Sequence, residues 1–390
     1  MGAIFGRPRS RSVTLADVGV DARETGRGTA TATPDRALRF SAVWAALRLR
    51  SDLISTLPVD VFRKSPDGRT MLPAPASRLF RRPADGILWP EWMASTQMDL
   101  DRFGNCAGHI EAKENGYPVQ IEPWSMDDLT IRFKGRRIVK YIYDRTEYDP
   151  SEVWHERQYT IAGYRVGLSP LAYGAWAIGA ALSAQDFSAD WFLNGAHPSG
   201  VLKHTELANL PSAVIAGAKE KFKVAVQNRD IFATGKEWEF TPAEVDANSS
   251  QFLEAMGAAA VDVARYIGVP AVAIDAAVTG QALTYANVSQ NQLSLLVNYL
   301  GAPIVRREWA FTMNALPAPR FAKFNSDALL RLDPAGRTDN MVKQIDAWLM
   351  DPDEGRALLN SPPLTQEQID LLMLRQTKLS TADDDGKDTP

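Results

Sequence analysis

The stretch Gln251–Pro303, QFLEAMGAAAVDVARYIGVPAVAIDAAVTGQALTYANVSQNQLSLLVNYLGAP, decides how this chain is read. Phe252, Met256, Ala260, Val263 and Ile267 recur at steps of four, four, three and four, which is one apolar stripe on an α-helix. Gly257 to Ala260 carry almost no side chain, so this helix can be approached closely by another. Gly268 suits a C-terminal cap, and Pro270 cannot continue the helix. A second helix is expected to start near Tyr285, with Leu293, Leu296 and Leu300 on one side and a kink or an end at Pro303. If it continues, Ile304 to Leu316 supplies a further apolar run with Trp309 and Phe311. The plain reading is two core helices and a connection. Against it stands the length of the glycine- and threonine-bearing segment Ala271–Thr284, because a loop that long without structure of its own is functional or disordered.

Composition bounds the rest. The 390 residues allow two or three domains or one elongated subunit. Hydrophobic content of 45% and charged content of 23% are ordinary for a folded soluble protein. A net charge of -4 gives no global basic field for nucleic acid. The single cysteine, Cys106, excludes an intramolecular disulfide and a thiolate metal cluster within one chain, and fits a reducing compartment. Ten tryptophans are many, and tryptophan is enriched where subunits meet. The N-terminal MGAIFGRPRSRS lacks the apolar core of a secretory signal. Between Arg165 and Asp186 there is no charge, and such a length can span a bilayer. Ser169, Pro170, Ser183, Gln185, three glycines and many alanines argue instead for a helix buried between subunits.

Outward from these helices, residues 1–40 are expected to be a mildly basic flexible arm. Ser41 is placed as the N-cap of a helix carrying Val43, Leu47, Ile54 and Leu57 and stopped by Pro58. Val59–Arg63 alternates as a strand, and Ser65-Pro66-Asp67-Gly68 predicts a hairpin turn. A helix follows from about Trp89 to Leu100 with Pro90 in its first turn. Cys106 to Trp154 breaks into short alternating segments, an antiparallel sheet region. Helices are expected over Leu171–Asn194, closed by Gly195, and over Pro211–Val226, with a hairpin over Arg229–Phe240 turning at Thr234-Gly235-Lys236. Pro317–Leu332 reads as extended, Arg337–Leu349 and Gln366–Gln376 as short helices, and residues 377–390 as a disordered acidic tail.

No active site assembles from these residues. Gly235-Lys236 is followed by Glu237, and Asp230 stands where a phosphate-cradling loop needs glycine. Gly167-Leu168-Ser169-Pro170-Leu171 matches a nucleophile elbow at its first glycine and serine only. His109, His155, His197 and His204 are scattered without metal spacing, and His155 beside Trp154 reads as a hydrogen-bonded structural residue. Lys219, Lys221 and Lys223 could touch phosphates, but Glu220 interrupts them, and a solvated helix face is the simpler reading. Neither a metal nor a cofactor is expected.

The order of pieces resembles the portal proteins of tailed bacteriophages, in the branch related to HK97. Val43–Arg63 is similar to the family's opening helix, Leu-Pro and strand. Phe103-Gly104-Asn105-Cys106-Ala107 resembles its "G-N-A-Y" segment, and Val153-Trp154-His155 its strand ending in histidine. GLSPL at Gly167–Leu171, GAHPSGVL at Gly195–Leu202, Tyr266-Ile267-Gly268-Val269-Pro270, Tyr285-Ala286-Asn287 and Asp353–Leu364 follow in the family's order. One departure is the segment between the two stem helices. Many relatives have a longer one with "G-x-x-N-A-G-K"; here Lys203–Glu239 carries QNRDIFATGK.

The resemblance implies an α+β portal fold with a mixed α/β wing, a helical stem, a small α/β clip and a short helical crown. By it, residues 41–170 are wing, 171–202 the wing-to-stem helix, 203–246 the clip and 247–270 the second stem helix. Residues 271–284 become the tunnel loop, 285–336 a kinked helix and wing strand, and 337–376 the crown. It implies a DNA-facing tunnel loop with Asp275, Thr279, Gly280, Gln281 and Thr284, and a clip docking surface with Lys219, Lys221, Lys223 and Arg229. Stem packing falls to Phe252, Met256, Gly257, Ala260, Val263 and Ile267. The implied protein is a non-enzymatic ring of about twelve subunits at one capsid vertex, built head to tail. Its implied partners are double-stranded DNA passing without sequence specificity, the terminase large subunit, the major capsid protein and a head-tail adaptor. It is assembled in the host cytoplasm, resides in the virion and does not use a membrane. A membrane-associated oligomeric pore, or another non-enzymatic assembly protein, is the competing reading.

Overall fold

The computed structural model describes residues 10–14, 33–68, 70–193, 200–204, 211–228, 238–242, 249–276, 293–326, 334–359 and 361–373. Two units, Met1–Asn325 and Ser326–Pro390, are taken separately. The first begins inside the stretch expected to be a flexible arm, and part of that expectation is corrected. Strand β1 (Ser10–Thr14) pairs antiparallel with Thr130–Lys134. Helix α1 (Pro34–Ala37) forms because Pro34 is pre-set for a first turn and the Thr33 hydroxyl accepts from the Arg36 N–H at 3.3 Å.

Helix α2 (Ser41–Ser55) has Phe40, not Ser41, as its N-cap residue, and no side chain caps it there. It buries Val43, Ala46, Leu47, Arg50 and Ile54. Strands β2 (Val59–Lys64) and β3 (Met71–Pro73) form the expected hairpin, with Gly68 at φ +71° in its turn. Helix α3 (Trp89–Phe103) carries Pro90 in its first turn and ends at Gly104 in the left-handed region, three residues beyond the expected Leu100. The sheet region is antiparallel, as its alternation indicated. Strands β4 (Asn105–Glu114), β5 (Tyr117–Pro123), β6 (Thr130–Lys134), β7 (Arg137–Tyr143), β8 (Thr146–Tyr148) and β9 (Val153–Arg157) form two sheets. Their orders are β5-β4-β9 and β1-β6-β7-β8.

Helix α4 (Pro170–Leu193) is followed by β10 (Gly200–His204), α5 (Ser212–Asn228) and β11 (Trp238–Pro242). The expected hairpin over 229–240 is corrected in its described part. Strand β11 pairs with β10, Leu202 opposite Phe240, so it has a partner from before α5, while 229–237 lie outside the described residues. Helix α6 (Ser249–Ile267) stops at Gly268, φ +79°, and Pro270 opens a 3₁₀ turn over Ala271–Ile274. The second helix of the opening stretch is described from 293 and runs through a π segment, Leu295–Leu300, into α7 (Gly301–Asn314). Pro303 neither ends nor isolates it. Proline cannot donate the α-type bond, and the i→i+5 register just before it absorbs the missing donor. Strand β12 (Arg320–Phe324) then pairs with β2, Ala322 opposite Val61, completing the sheet β12-β2-β3.

Several apolar clusters hold this unit, two of which frame the helices and the strands. One joins α2, α4 and α6 through Phe40, Val43, Leu47, Leu171, Ile178, Val263 and Ile267; the other lies between the strands, around Phe103, Leu129, Ile131 and Tyr141. In the second unit, α8 (Pro334–Asp346) meets α9 (Pro352–Leu358) closely enough that a Cβ on Gly355 would lie 3.2 Å from the Met341 sulfur. Helix α9, not foreseen, starts with a capping box between Asp351 and Glu354. A last helical stretch, α10, covers 366–373. Among the described residues, no helix is long and apolar enough to cross a membrane.

Candidate functional site

The segment after α6 is rooted in a buried relay of charged and amide groups. Arg50, on the inner face of α2, is 2% exposed. Its Nη1 donates to the carbonyl of Ile267 at 2.7 Å and to that of Gly268 at 3.4 Å, so it caps the carbonyl end of α6 where the helix dipole favours a cation. Its Nε lies 3.1 Å from Asp101 Oδ1, and its Nη2 donates to Gln158 Oε1. Gln97, one turn before Asp101 on α3, donates to Asp101 Oδ2 at 3.1 Å and accepts from Arg307 at 3.4 Å. Arg307, on α7, also donates to Thr96 Oγ1 at 2.8 Å and to Glu156 Oε1 at 3.2 Å. The relay Gln158–Arg50–Asp101–Gln97–Arg307–Glu156 therefore ties the end of α6 to α7. Those are the elements on either side of 277–292.

Burial pushes the Asp101 carboxyl up, and the adjacent Arg50 opposes it by favouring the ionised form. Tyr159, at φ +51°, closes the end of the relay. Its phenol lies beside Arg50, and the Arg306 guanidinium sits 5.7 Å from its ring centre. Arg50, Asp101 and Arg307 were not among the residues singled out from sequence. Their only signal is that each falls on the apolar side of its helix.

A second knot holds the GLSPL turn. Asn105 Nδ2 donates to the carbonyls of Phe103 and Gly167, while its Oδ1 accepts from the Gly167 N–H at 2.7 Å. That oxygen also faces His155 Nε2 at 3.1 Å, which makes Nε2 the protonated nitrogen and leaves Nδ1 to accept from the Tyr141 hydroxyl at 2.9 Å. Burial, helped by nearby Arg157, lowers the His155 pKa to about 3, so the ring is neutral and structural, as its sequence position suggested. Ser169 is 2% exposed; its hydroxyl donates to the Arg102 carbonyl and accepts from the Ala172 N–H, so it is the N-terminal cap of α4. Among the described residues, no group of three or more histidine, cysteine or acidic side chains is arranged to hold a metal.

The two long helices expose apolar lines that the single chain does not bury. On α4, Tyr173, Trp176, Ala180, Ser183 and Phe187 are exposed at steps of three and four, the spacing of a helix-packing seam, with Ser183 its one polar member. Trp176 is 68% exposed. The opposite side of the same helix, Leu171, Ala175, Ile178 and Leu182, is in the core. A second line runs Leu293, Val297, Val305, Trp309, Met313, and Trp309 is 62% exposed. The π segment turns less per residue than an α-helix and so counters the drift that steps of four would otherwise accumulate.

The sequence-derived site residues divide unevenly. Val263 and Ile267 are buried against α2 and α4, and Met256 and Ala260 pack on that core. Phe252 lies on α6, and nothing is described of its side chain. Gly257 is exposed, and a Cβ there would meet nothing within 4 Å in the single chain. A close approach within the chain occurs at Gly174 of α4, where an added Cβ would lie 3.1 Å from the Tyr266 ring of α6. Lys219 and Lys221 are exposed on α5, and Lys223 shares that helix; Arg229 lies outside the described residues. Asp275 is exposed at φ +53° at the end of the 3₁₀ turn, while Thr279, Gly280, Gln281 and Thr284 lie outside the described residues. The segment begun at Ala271 is thus helical for its first four residues rather than open loop.

The family model for phage portal proteins matches residues 41–360. The portal protein of Enterobacteria phage HK97 is 25% identical over 352 residues, spanning 86% of this chain and 82% of that protein. Among solved structures, an HK97-family phage portal protein from Corynebacterium diphtheriae superposes with a TM-score of 0.61 at 22% identity, covering 79% of this chain and all of that one. A chain from the neck of a native gene transfer agent particle, computed with C12 symmetry, gives a TM-score of 0.53 at 19% identity over 85% of this chain and 94% of its own.

Proposed function

Because the chain belongs to the phage portal protein family, in its HK97-like branch, we propose that it joins further copies of itself in a closed, twelve-membered ring at one capsid vertex and forms the channel through which DNA is packaged and ejected. The observation that carries the assembly is the pair of exposed apolar lines, one on α4 and one along 293–313. A closed ring joins two different surfaces of each subunit, head to tail, and the two lines supply two such surfaces. The role is structural rather than catalytic. On this reading the Asp275–Thr284 segment faces DNA, and the relay anchors its root at the end of α6. Lys219, Lys221, Lys223 and Arg229 contact the terminase large subunit or the head-tail adaptor, the wing meets the major capsid protein, and assembly takes place in the host cytoplasm.

Charge placed on both lines tests the assembly. In the double variant Trp176→Glu, Trp309→Glu, each interface loses about 3 kcal/mol or more, because a buried tryptophan is replaced by a carboxylate. That loss recurs at every interface of the ring, so the variant is expected to sediment as monomer where the unaltered protein sediments as ring. Both side chains are exposed in the single chain, so its circular dichroism should be unchanged. Rings formed by the variant as readily as by the unaltered protein would show that neither line is an interface.

A further inference from the structure

Between the two wing sheets lies an open cleft of about 600 Å³ that the portal reading does not use. Lys113, Arg137, Arg157 and Arg165 line it, and no carboxylate does. None of the four has an ion-pair partner among the described residues. Lys113 Nζ donates to the Ser151 carbonyl at 2.7 Å and Arg157 Nη1 to the Arg165 carbonyl at 3.1 Å, so these two charges are held in place without being neutralised. Four cations gathered around one cleft make its mouth electropositive, which favours anions there.

The shape selects which anion. The cleft floor is Tyr141, Val153 and Trp154, all buried and largely apolar. One wall is β9, which pairs with β4 on one side and, among the described residues, with no strand on the other. A free strand edge offers backbone donors and acceptors to an extended peptide, and alternate side chains of such a peptide point to opposite faces. A DNA duplex is too broad to enter a cleft of this size, and free phosphate would leave the strand edge and the apolar floor unused. We propose that this cleft binds an acidic, extended peptide segment of a partner protein. The segment lies along the free edge of β9, with its carboxylates on Lys113, Arg137, Arg157 and Arg165 and its alternate apolar side chains on the floor.

The experiment is a fluorescence-anisotropy titration of the full chain with a fluorescein-labelled hexapeptide alternating glutamate and valine. Saturable binding is expected, weakening as salt is raised. The variant Arg137→Glu, Arg165→Glu should bind at least tenfold more weakly with unchanged circular dichroism. Lys64→Glu, an exposed charge change outside the cleft, should bind as the unaltered protein does. Should the double variant misfold, Arg137→Gln alone should still weaken binding several-fold. Absence of saturable binding overturns the proposal. So does an unchanged affinity in the Arg137 variants, equal loss with Lys64→Glu, or displacement of the peptide by inorganic phosphate or by a DNA duplex at equal charge concentration.

Discussion

Arg50→Ala is expected to destabilise the first unit by about 3–5 kcal/mol, because it leaves Asp101 buried without its counter-charge. Asp101 is fully buried, and Gln97 supplies it with one neutral hydrogen bond. The same substitution removes the donor from the last carbonyls of α6, Ile267 and Gly268. The two losses differ in kind, and paired variants separate them. Arg50→Met with Asp101→Leu removes both charges at similar volume and should recover most of the stability, since a buried ion pair replaced by apolar groups is often neutral. It cannot restore the α6 cap, so Asp275 and the segment beyond should exchange backbone hydrogens faster in the double variant than in the unaltered protein. Urea unfolding followed by tryptophan fluorescence gives the first quantity and hydrogen exchange the second. An Arg50→Ala midpoint within about 1 kcal/mol of the unaltered protein would mean that the relay holds nothing.

Gly167→Ala should be as damaging or more so, by a different mechanism. An added Cβ would overlap the backbone carbonyl oxygens of Gly104 and Gln158, neither of which is the movable end of a side chain. Gly104 meets the same obstacle from the other direction, its added Cβ falling on the Leu168 backbone, and it also sits at φ +71°. Three chain segments therefore touch backbone to backbone here, pinned by Asn105. The expected result is a loss above about 4 kcal/mol, seen as insoluble protein or a transition shifted to low urea. Gly257→Ala makes the contrast. Its Cβ meets nothing within 4 Å, and alanine in a helix interior is favoured over glycine by about 0.5–1 kcal/mol, so the isolated subunit should gain stability. Equal effects from the two substitutions would contradict this account of the GLSPL turn.

What was legible in the sequence depended on how local the cause was. Helix α6 could be placed because its stripe and its Gly268–Pro270 stop are contained within twenty residues. The hairpin at Ser65–Gly68 and the alternation of the strands from β4 to β9 were equally local, whereas the pairings of β4 with β9 and of β6 with β1 were not. The relay was not legible, because Arg50, Asp101 and Arg307 come from three separated helices; each falls on the apolar side of its helix, but nothing local says which group it meets there. The pairing of β11 with β10 was missed for a similar reason. A turn-like Thr234-Gly235-Lys236 suggested a local hairpin, whereas the strand that satisfies the β11 backbone lies before α5. At Gly257 the sequence showed only that a neighbour could approach, and the single chain brings none there; at Gly174 Tyr266 of the same chain does. The exposed lines at Trp176 and Trp309 were half legible. The sequence indicated a helix too apolar for solvent, and the structure shows which side of it remains open.

The most direct measurement of the central claim is the rotational symmetry of the purified full-length protein in end-on electron-microscopy class averages. The account predicts closed rings with twelvefold symmetry and a central channel, abolished by Trp176→Glu, Trp309→Glu. A uniformly monomeric population across the concentrations at which the unaltered protein can be imaged, or open filaments without closure, would contradict it.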